Sequence, residues 1–367
     1  MENPNLIPFF GVKRQYANLR EEILHVTDKV YTSGKVLDGP YTQQFEQLIA
    51  DRCDRAYAIS VNSCTQGLVF ALQTLFPAGR VLIPTMSFAA TLNSVLLTEH
   101  EPTFVDVDYG GIMDLNSVNF SFNDTNIAAV MYVNLFGNII DYDKLRVMTE
   151  FWGQSPRIVE DAAQSFGAKY KGIPSGKLGY VSVLSFDPTK NLPNYGSGGM
   201  VLTDDFELAE AVKDLRDNGK SSVHMYPGTN SKMSESDCAQ MIVKLQYFDA
   251  WQDRRDAIAK YYTQQLSTYV DVLGPGPDVE HAWHKFVIRV QQYRNQLQSH
   301  LTANRIETKI HYPHPLDSLG VAYNYSGANL RAGSDQFSRE CLSLPIHPEL
   351  TDSEVEYVVQ TVKDFYA

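Results

Sequence analysis

Ser185-Phe186-Asp187-Pro188-Thr189-Lys190-Asn191-Leu192, running on into Tyr195-Gly196-Ser197-Gly198-Gly199-Met200, is the stretch from which the chain is best read. The apolar residues Val181, Val183, Leu184 and Phe186 predict a buried strand, and Pro188 turns the chain out of it. Lys190 then falls in a loop, with the Ser185 hydroxyl before it and Gly196, Gly198 and Gly199 soon after. Open α/β sheets place their chemistry just past the carboxyl ends of their strands. Desolvation there disfavours an ammonium and frees the amine as a nucleophile. Taken alone, such a lysine reads as a solvated loop residue. Its surroundings have to decide.

Upstream and downstream of this stretch the pattern is strand, turn, helix, repeated. Short apolar strands are predicted at Ala56–Val61, Arg80–Ile83, Thr103–Asp106, Ile127–Val133, Arg157–Glu160, Val181–Phe186 and Gly199–Thr203. Helical spacing lies between several of them, as with Leu68, Leu72 and Leu75. That alternation implies an α/β fold with a largely parallel sheet covered on both faces. Helices are also expected over Glu21–Val30 and Tyr41–Cys53, after an arm at Ile7-Pro8-Phe9-Phe10.

From Ser234 the apolar residues Met241, Leu245, Phe248, Trp251, Ile258, Tyr261 and Leu266 keep helical spacing over a very long span. Ser234 and Asp237 suggest a cap at its start. Gly274-Pro275-Gly276-Pro277 breaks the pattern, and a smaller α+β part follows. It contains a strand near Trp283–Val290, a helix at Asn295–Ala303, a second strand at Ile306–Tyr312 and a final helix at Asp352–Phe365. The expected division is residues 1–245 for a large domain with an N-terminal arm and 246–367 for a small C-terminal domain.

The composition narrows the functions. Among 367 residues, 31 Lys+Arg against 43 Asp+Glu leave a formal net charge of −12. That balance argues against general nucleic-acid or anionic-membrane binding. Cys53, Cys64, Cys238 and Cys341 form no CxxC pair and no metal-type spacing, which suits a reducing compartment. The opening Met1-Glu2-Asn3-Pro4-Asn5 has no basic region leading into an apolar run, so a soluble cytoplasmic protein is expected.

Chemistry-bearing residues gather at four strand ends. In Val61-Asn62-Ser63-Cys64-Thr65-Gln66-Gly67, small and hydroxyl residues open a helix whose N-terminus favours a phosphate, though Ser63 also reads as an ordinary N-cap. In Pro84-Thr85-Met86-Ser87-Phe88-Ala89-Ala90-Thr91, Phe88 suits a planar ring, although in isolation core packing is the better reading. Asp161 ends an apolar strand in Glu160-Asp161-Ala162-Ala163-Gln164, where it either caps a helix or meets a buried cation. The fourth is Lys190. An amine for a Schiff base, a carboxylate for a pyridinium, an aromatic plate and a phosphate cradle together are what pyridoxal phosphate requires.

With these motifs in order, the chain resembles the DegT/StrS-type nucleotide-sugar aminotransferases, which are fold type I pyridoxal-phosphate enzymes. The resemblance extends from Ile7-Pro8-Phe9 through Gly39-Pro40 and Phe45-Glu46 to Asp161-Ala162-Ala163-Gln164 and Pro188-Thr189-Lys190-Asn191-Leu192. It continues at Gly228-Thr229-Asn230 and His311-Tyr312-Pro313, and closes at Leu344-Pro345-Ile346-His347-Pro348-Glu349-Leu350-Thr351. It implies that Lys190 carries the cofactor covalently and Asp161 partners its ring nitrogen. Gln164 would sit by the ring oxygen, Phe88 against the ring, and Ser63, Cys64, Thr65 and Ser185 around the phosphate. Asn230 would reach the phosphate of a neighbouring subunit, making a homodimer with shared sites, and His311 and Tyr312 would lie near the sugar. Lys35, Lys220 and Lys232 are candidates for the substrate diphosphate, although each also reads as a surface lysine.

Departures from the family pattern are Cys64 for a glycine, Asn134 for a histidine, Pro193 and Ser197 after the lysine, and Asp317 for a histidine. Asn134 thereby becomes a candidate for substrate preference. The implied reaction moves an amino group, with glutamate as donor, to a keto group at C3 or C4 of a nucleotide-linked deoxysugar. Tyr312-Pro313-His314-Pro315-Leu316 points towards the 3-keto branch. The alternatives are a sugar dehydratase, which Lys190 in place of a histidine opposes, and a regulatory protein that binds the cofactor without turnover. A cysteine desulfurase using Cys341 is opposed by the apolar Cys-Leu-Ser-Leu run around that thiol.

Overall fold

In the computed structural model, residues 6–75, 78–118, 126–151, 157–224, 227–325 and 331–367 are described. The opening Met1–Asn5 lies outside them. All seven expected strands form: β1 Tyr57–Val61, β2 Arg80–Pro84, β3 Glu101–Val105, β4 Ile127–Val133, β5 Arg157–Asp161, β6 Val181–Ser185 and β7 Gly199–Thr203. They make one sheet in the order β1-β7-β6-β5-β4-β2-β3. Only β7 runs against its neighbours, being antiparallel to both β1 and β6. β2 to β6 pair in parallel, as strand–helix alternation requires.

Helix Cys64–Gln73 lies on this sheet because Gly67 presents no side chain to it. A Cβ there would come within 2.7 Å of Val183 and 3.2 Å of Val201. One core holds this face, with Leu68, Leu72, Val81, Ile83, Val159, Val183 and Val201 packed together. The other face packs Leu184, Phe186, Met200 and Leu202 against Phe45, Ile49, Met241 and Phe248.

The first helix is longer than the spacing suggests, spanning Val12–Ser33, and it ends on Gly34 in the left-handed region. Ser234 caps the next long stretch, accepting from Asp237 N at 3.1 Å. That stretch is two helices, Glu235–Leu245 and Phe248–Leu266, where one was expected. The break has a packing cause. The first buries Cys238, Met241 and Val243 against the large sheet and the first helix, whereas Ile258, Tyr262 and Leu266 enter the C-terminal core. One straight helix cannot direct its apolar stripe at both.

The C-terminal part is built on strands Phe286–Arg289 and Cys341–Leu344 with helices Arg294–Ala303 and Asp352–Tyr366. The strand expected over Ile306–Tyr312 does not form. Its place is marked by single bridges, Ile306 to Ile7 and Lys309 to Ser343. Phe286–Arg289 pairs residue for residue with the short Cys341–Leu344 run on one edge and with Asp271–Val272 on the other. Ile7 is buried in this C-terminal core, so the N-terminal arm packs with the small part of the molecule. Among the described residues, no helix is long and apolar enough to cross a membrane.

Candidate active site

The parallel sheet brings the motif loops to one end. β1 leads to Ser63, β2 to Phe88, β4 to Asn134, β5 ends on Asp161, and β6 ends on Ser185 and leads to Lys190. The turn that carries Lys190 is held by Asp187. Its Oδ1 accepts from Thr189 N at 3.0 Å and Thr189 Oγ1 at 2.7 Å, and its carbonyl accepts from Lys190 N at 2.9 Å. Gly198 O and Phe186 N close the base of the loop at 2.9 Å. Asn191 Nδ2 then ties it to the carbonyl of Ala282 at 2.6 Å.

Lys190 is partly buried. Desolvation pulls its amine below the ordinary lysine value, against the attraction of Cys64, Asp161 and Asp187. Asp161 is 3% exposed. Its Oδ2 accepts from Thr91 Oγ1 at 2.8 Å and its Oδ1 from Ala163 N at 3.2 Å. Burial raises its carboxyl above the usual range, while the Thr91 and Ala163 hydrogen bonds and the Lys190 charge draw it down. Thr91 is itself held by Ser87, hydroxyl to hydroxyl at 2.8 Å. Nothing in the sequence alone marks Thr91 for this role. Its place in the quoted 84–91 stretch is a signal only once β2 and β5 are known to be near neighbours.

Gly199 organises the second half of the site. It pairs with Val61 on one side and Ser185 on the other, so the Ser63 turn and Ser185 flank the same strand end. A Cβ at Gly199 would lie 2.7 Å from Cys64 N and Ser63 C, so only glycine permits this approach. Ser63 is the N-cap of helix Cys64–Gln73, its Oγ accepting from Gln66 N at 3.2 Å. The cap and phosphate readings are compatible, because the first N–H groups of a helix have no partner within it. Cys64 is buried, and desolvation first, then Asp161, raises its thiol well above the ordinary value.

Phe88 is 58% exposed, which corrects the core-packing expectation for that residue taken alone. Its ring stands 6.1 Å from that of Tyr312. Tyr312 Oη accepts from Gln164 Nε2 at 3.1 Å, and Gln164 Oε1 accepts from Phe136 N at 3.0 Å. His311 Nδ1 meets Ser343 Oγ at 2.8 Å, and burial beside Lys285, Lys309 and Lys190 pulls its pKa down to about 2.

The remaining candidates lie differently. Asn134 is fully buried and donates through Nδ2 to Glu160 Oε1 at 2.9 Å, so its amide belongs to the core network around Glu160. Asn230 is exposed and forms a bridge with Asp217, while its neighbour Ser231 accepts from Asn62 N at 2.7 Å. Lys220 and Lys232 both pair with Asp217; the Lys232 side chain is only 9% exposed, which corrects its reading as a solvated lysine. Lys35 is exposed. Asp317 is paired with Arg331 at 3.6 Å. Cys341 is buried in its strand and burial lifts its thiol to about 11, which leaves it core material rather than a nucleophile.

Comparison with known proteins identifies the family. Residues 17–363 match the profile of the DegT/DnrJ/EryC1/StrS aminotransferase family. A dTDP-3-amino-3,4,6-trideoxy-alpha-D-glucose transaminase of Streptomyces venezuelae is 34% identical over 370 residues, covering 98% of this chain and 96% of that protein. A pleiotropic regulatory protein of Geobacillus stearothermophilus is 32% identical over 378 residues, covering 98% of both. The crystal structure of S. venezuelae DesV in complex with a ketimine intermediate superposes with a TM-score of 0.92 at 32% identity, covering 99% of each chain. The chain therefore belongs to the DegT/DnrJ/EryC1/StrS aminotransferase family.

Proposed function

We propose that this chain is a pyridoxal-phosphate-dependent aminotransferase acting on a nucleotide-linked keto-sugar, with glutamate as amino donor and C3 or C4 of the sugar as acceptor. The observation that carries the reading is the pair Lys190 and Asp161. A partly buried amine and a buried carboxylate that accepts only from neutral donors face one end of the sheet. The residues fit the cofactor. Burying a carboxylate without a cation costs several kcal/mol, about what a protonated ring nitrogen would restore. The close approach at Gly199 brings the Ser63–Cys64 turn near Ser185, which supports Ser63, Cys64, Thr65 and Ser185 as the phosphate ligands.

When bound, pyridoxal phosphate supplies an electron sink for the pair left as the donor's Cα–H bond breaks. Lys190 Nζ is the covalent attachment point, and its lowered pKa suits it to take the proton from Cα and return it later in the transfer. Asp161 holds negative charge against the ring nitrogen, with Thr91 fixing which way the carboxylate turns. Gln164 is oriented by Phe136 N and Tyr312 Oη, which presets its amide for the ring oxygen. Phe88 stands beside Tyr312, and its exposed ring suits it to cover a planar ring.

The named relatives support a nucleotide sugar as acceptor, since one aminates a dTDP-sugar and others, 29% and 28% identical, carry UDP-sugar names. We take the working unit to be a homodimer in which Asn230 completes a partner's phosphate site, consistent with its exposed position. The test is a screen of the purified protein with glutamate against dTDP- and UDP-linked 3-keto and 4-keto sugars, read by mass spectrometry. An amino-sugar product dependent on Lys190 is expected. Product from the Lys190→Ala variant at the parent rate would overturn the assignment.

A further inference from the structure

Residues 281–285 run between the two halves of the site as a strap. On one side the Ala282 carbonyl accepts from Asn191 Nδ2 at 2.6 Å, and Asn191 directly follows Lys190. On the other, Ala282 N donates to the Gly137 carbonyl at 2.9 Å and Lys285 N to the Phe136 carbonyl at 3.2 Å. Phe136 N in turn donates to Gln164 Oε1 at 3.0 Å. The strap is therefore bonded both to the loop that carries Lys190 and to the turn that orients Gln164.

Several contacts fix the strap itself. Gln252 Nε2 gives the Ala282 carbonyl a second donor at 3.0 Å, and Arg255 Nη1 donates to the Trp283 carbonyl at 3.2 Å. Both side chains come from helix Phe248–Leu266. The facing turn leaves no slack, because a Cβ at Gly137, whose φ is +100°, would lie 2.8 Å from Trp283 N. Trp283 has a φ of 47°, in the left-handed region that a large side chain rarely adopts. Such a conformation persists only where its surroundings over-determine it, and it is concentrated at functional sites.

Asn191 is an odd choice if stability is its purpose. It is 5% exposed, and its Oδ1 has no partner among the described residues. A buried amide with one half unsatisfied is costly, and an apolar residue of similar size would avoid that cost. Its donor is also backed up, since Gln252 reaches the same carbonyl.

We propose that Asn191 is a positioning residue for Lys190, acting through the Ala282 carbonyl, and that the strap sets Lys190 in register with Gln164. The inference rests on the aminotransferase reading above. Lysine ends in a flexible four-carbon stem, so the backbone on either side decides where its amine can reach. Asp187 fixes that backbone before Lys190, and Asn191 fixes it after. A misplacement of about 1 Å can cost on the order of a hundredfold in rate.

Two substitutions separate positioning from stability. Asn191→Leu removes the donor next to Lys190, and Gln252→Leu removes the other donor to the same carbonyl. Denaturant unfolding reports stability, and a pH titration of the bound cofactor's visible band reports the surroundings of the Lys190 nitrogen. Gln252→Leu should unfold at lower denaturant with the titration of the parent. Asn191→Leu should shift the titration midpoint by roughly half a pH unit or more, as altered neighbours of a titrating group do. Its kcat should fall about tenfold or more, with the KM for glutamate within about twofold. Asn191→Ser, which also lacks the amide, serves if Asn191→Leu fails to fold. An unshifted titration in the folded Asn191 variants would overturn the proposal, as would an equal shift in Gln252→Leu. Failure of both Asn191 variants to fold would also overturn it, by making Asn191 a requirement of the fold. Borohydride reduction and peptide mapping of the parent locate the linkage separately. A linkage away from Lys190 would bring down the aminotransferase reading itself.

Discussion

Thr91 Oγ1 donates to Asp161 Oδ2 at 2.8 Å, so the buried carboxylate at the end of β5 is oriented by a hydroxyl from the loop after β2. With the backbone N–H of Ala163 on the other oxygen, Asp161 is fixed in direction but not neutralised. Asp161→Asn keeps the shape and removes the charge. It should retain part of its bound cofactor and lose on the order of a hundredfold or more in kcat, because charge is needed most in the transition state. Cofactor content by absorbance and steady-state rates check this; an unchanged kcat would remove Asp161 from its role.

Lys244 offers a pH-dependent test of the loop that follows Lys190. It is fully buried, its Nζ donates to the Pro193 carbonyl at 2.6 Å, and it lies 3.2 Å from the centre of the Tyr195 ring. Burial lowers its pKa to about 7, against the weaker pull of Glu349 and Asp237. The unfolded chain, with an ordinary lysine, therefore binds the extra proton between about pH 7 and pH 10.5. Stability should rise with pH across that window, and the penalty should be complete below it. Denaturant unfolding of the parent and Lys244→Met should differ in slope by up to about 1.4 kcal/mol per pH unit there. Parallel pH profiles would show that Lys244 stays charged in the fold.

Asn230 is exposed on a loop bridged to Asp217, a position open to a second copy of the chain. If it completes a partner's phosphate site, Lys190→Ala and Asn230→Ala chains co-expressed as mixed dimers should place both lesions in one site. The other site would be intact. Activity of purified mixed dimers should recover to about half that of the parent dimer, by two-fold symmetry. Absence of recovery, with Asn230→Ala alone impaired, would return Asn230 to its own subunit.

Much of this site is legible in the sequence because residues that each have an ordinary reading alone fall together at strand ends in the order of a known family. Asp161, Ser185 and Lys190 are such residues, and the sheet delivers all three to one end. What escapes sequence is whatever depends on contacts across elements. Thr91 acquires its role only from the packing of the β2 loop on β5, and Asn134 turns its amide to Glu160 instead of the site. Lys244 and Lys285 look like ordinary lysines in a helix and a strand, and only tertiary burial makes them unusual. The split of the long helical pattern at Gln246 and Tyr247 is of the same kind, since the spacing continues while the surfaces it faces change.

The claim on which the rest depends is that Lys190 carries the cofactor and moves the Cα proton during amino transfer. Cofactor-loaded protein mixed with glutamate and no sugar should release about one equivalent of 2-oxoglutarate per chain in a burst, the signature of a half-reaction that stops for want of acceptor. Lys190→Ala, loaded with the same cofactor, should give no burst. A burst of equal size and rate from that variant would contradict the account.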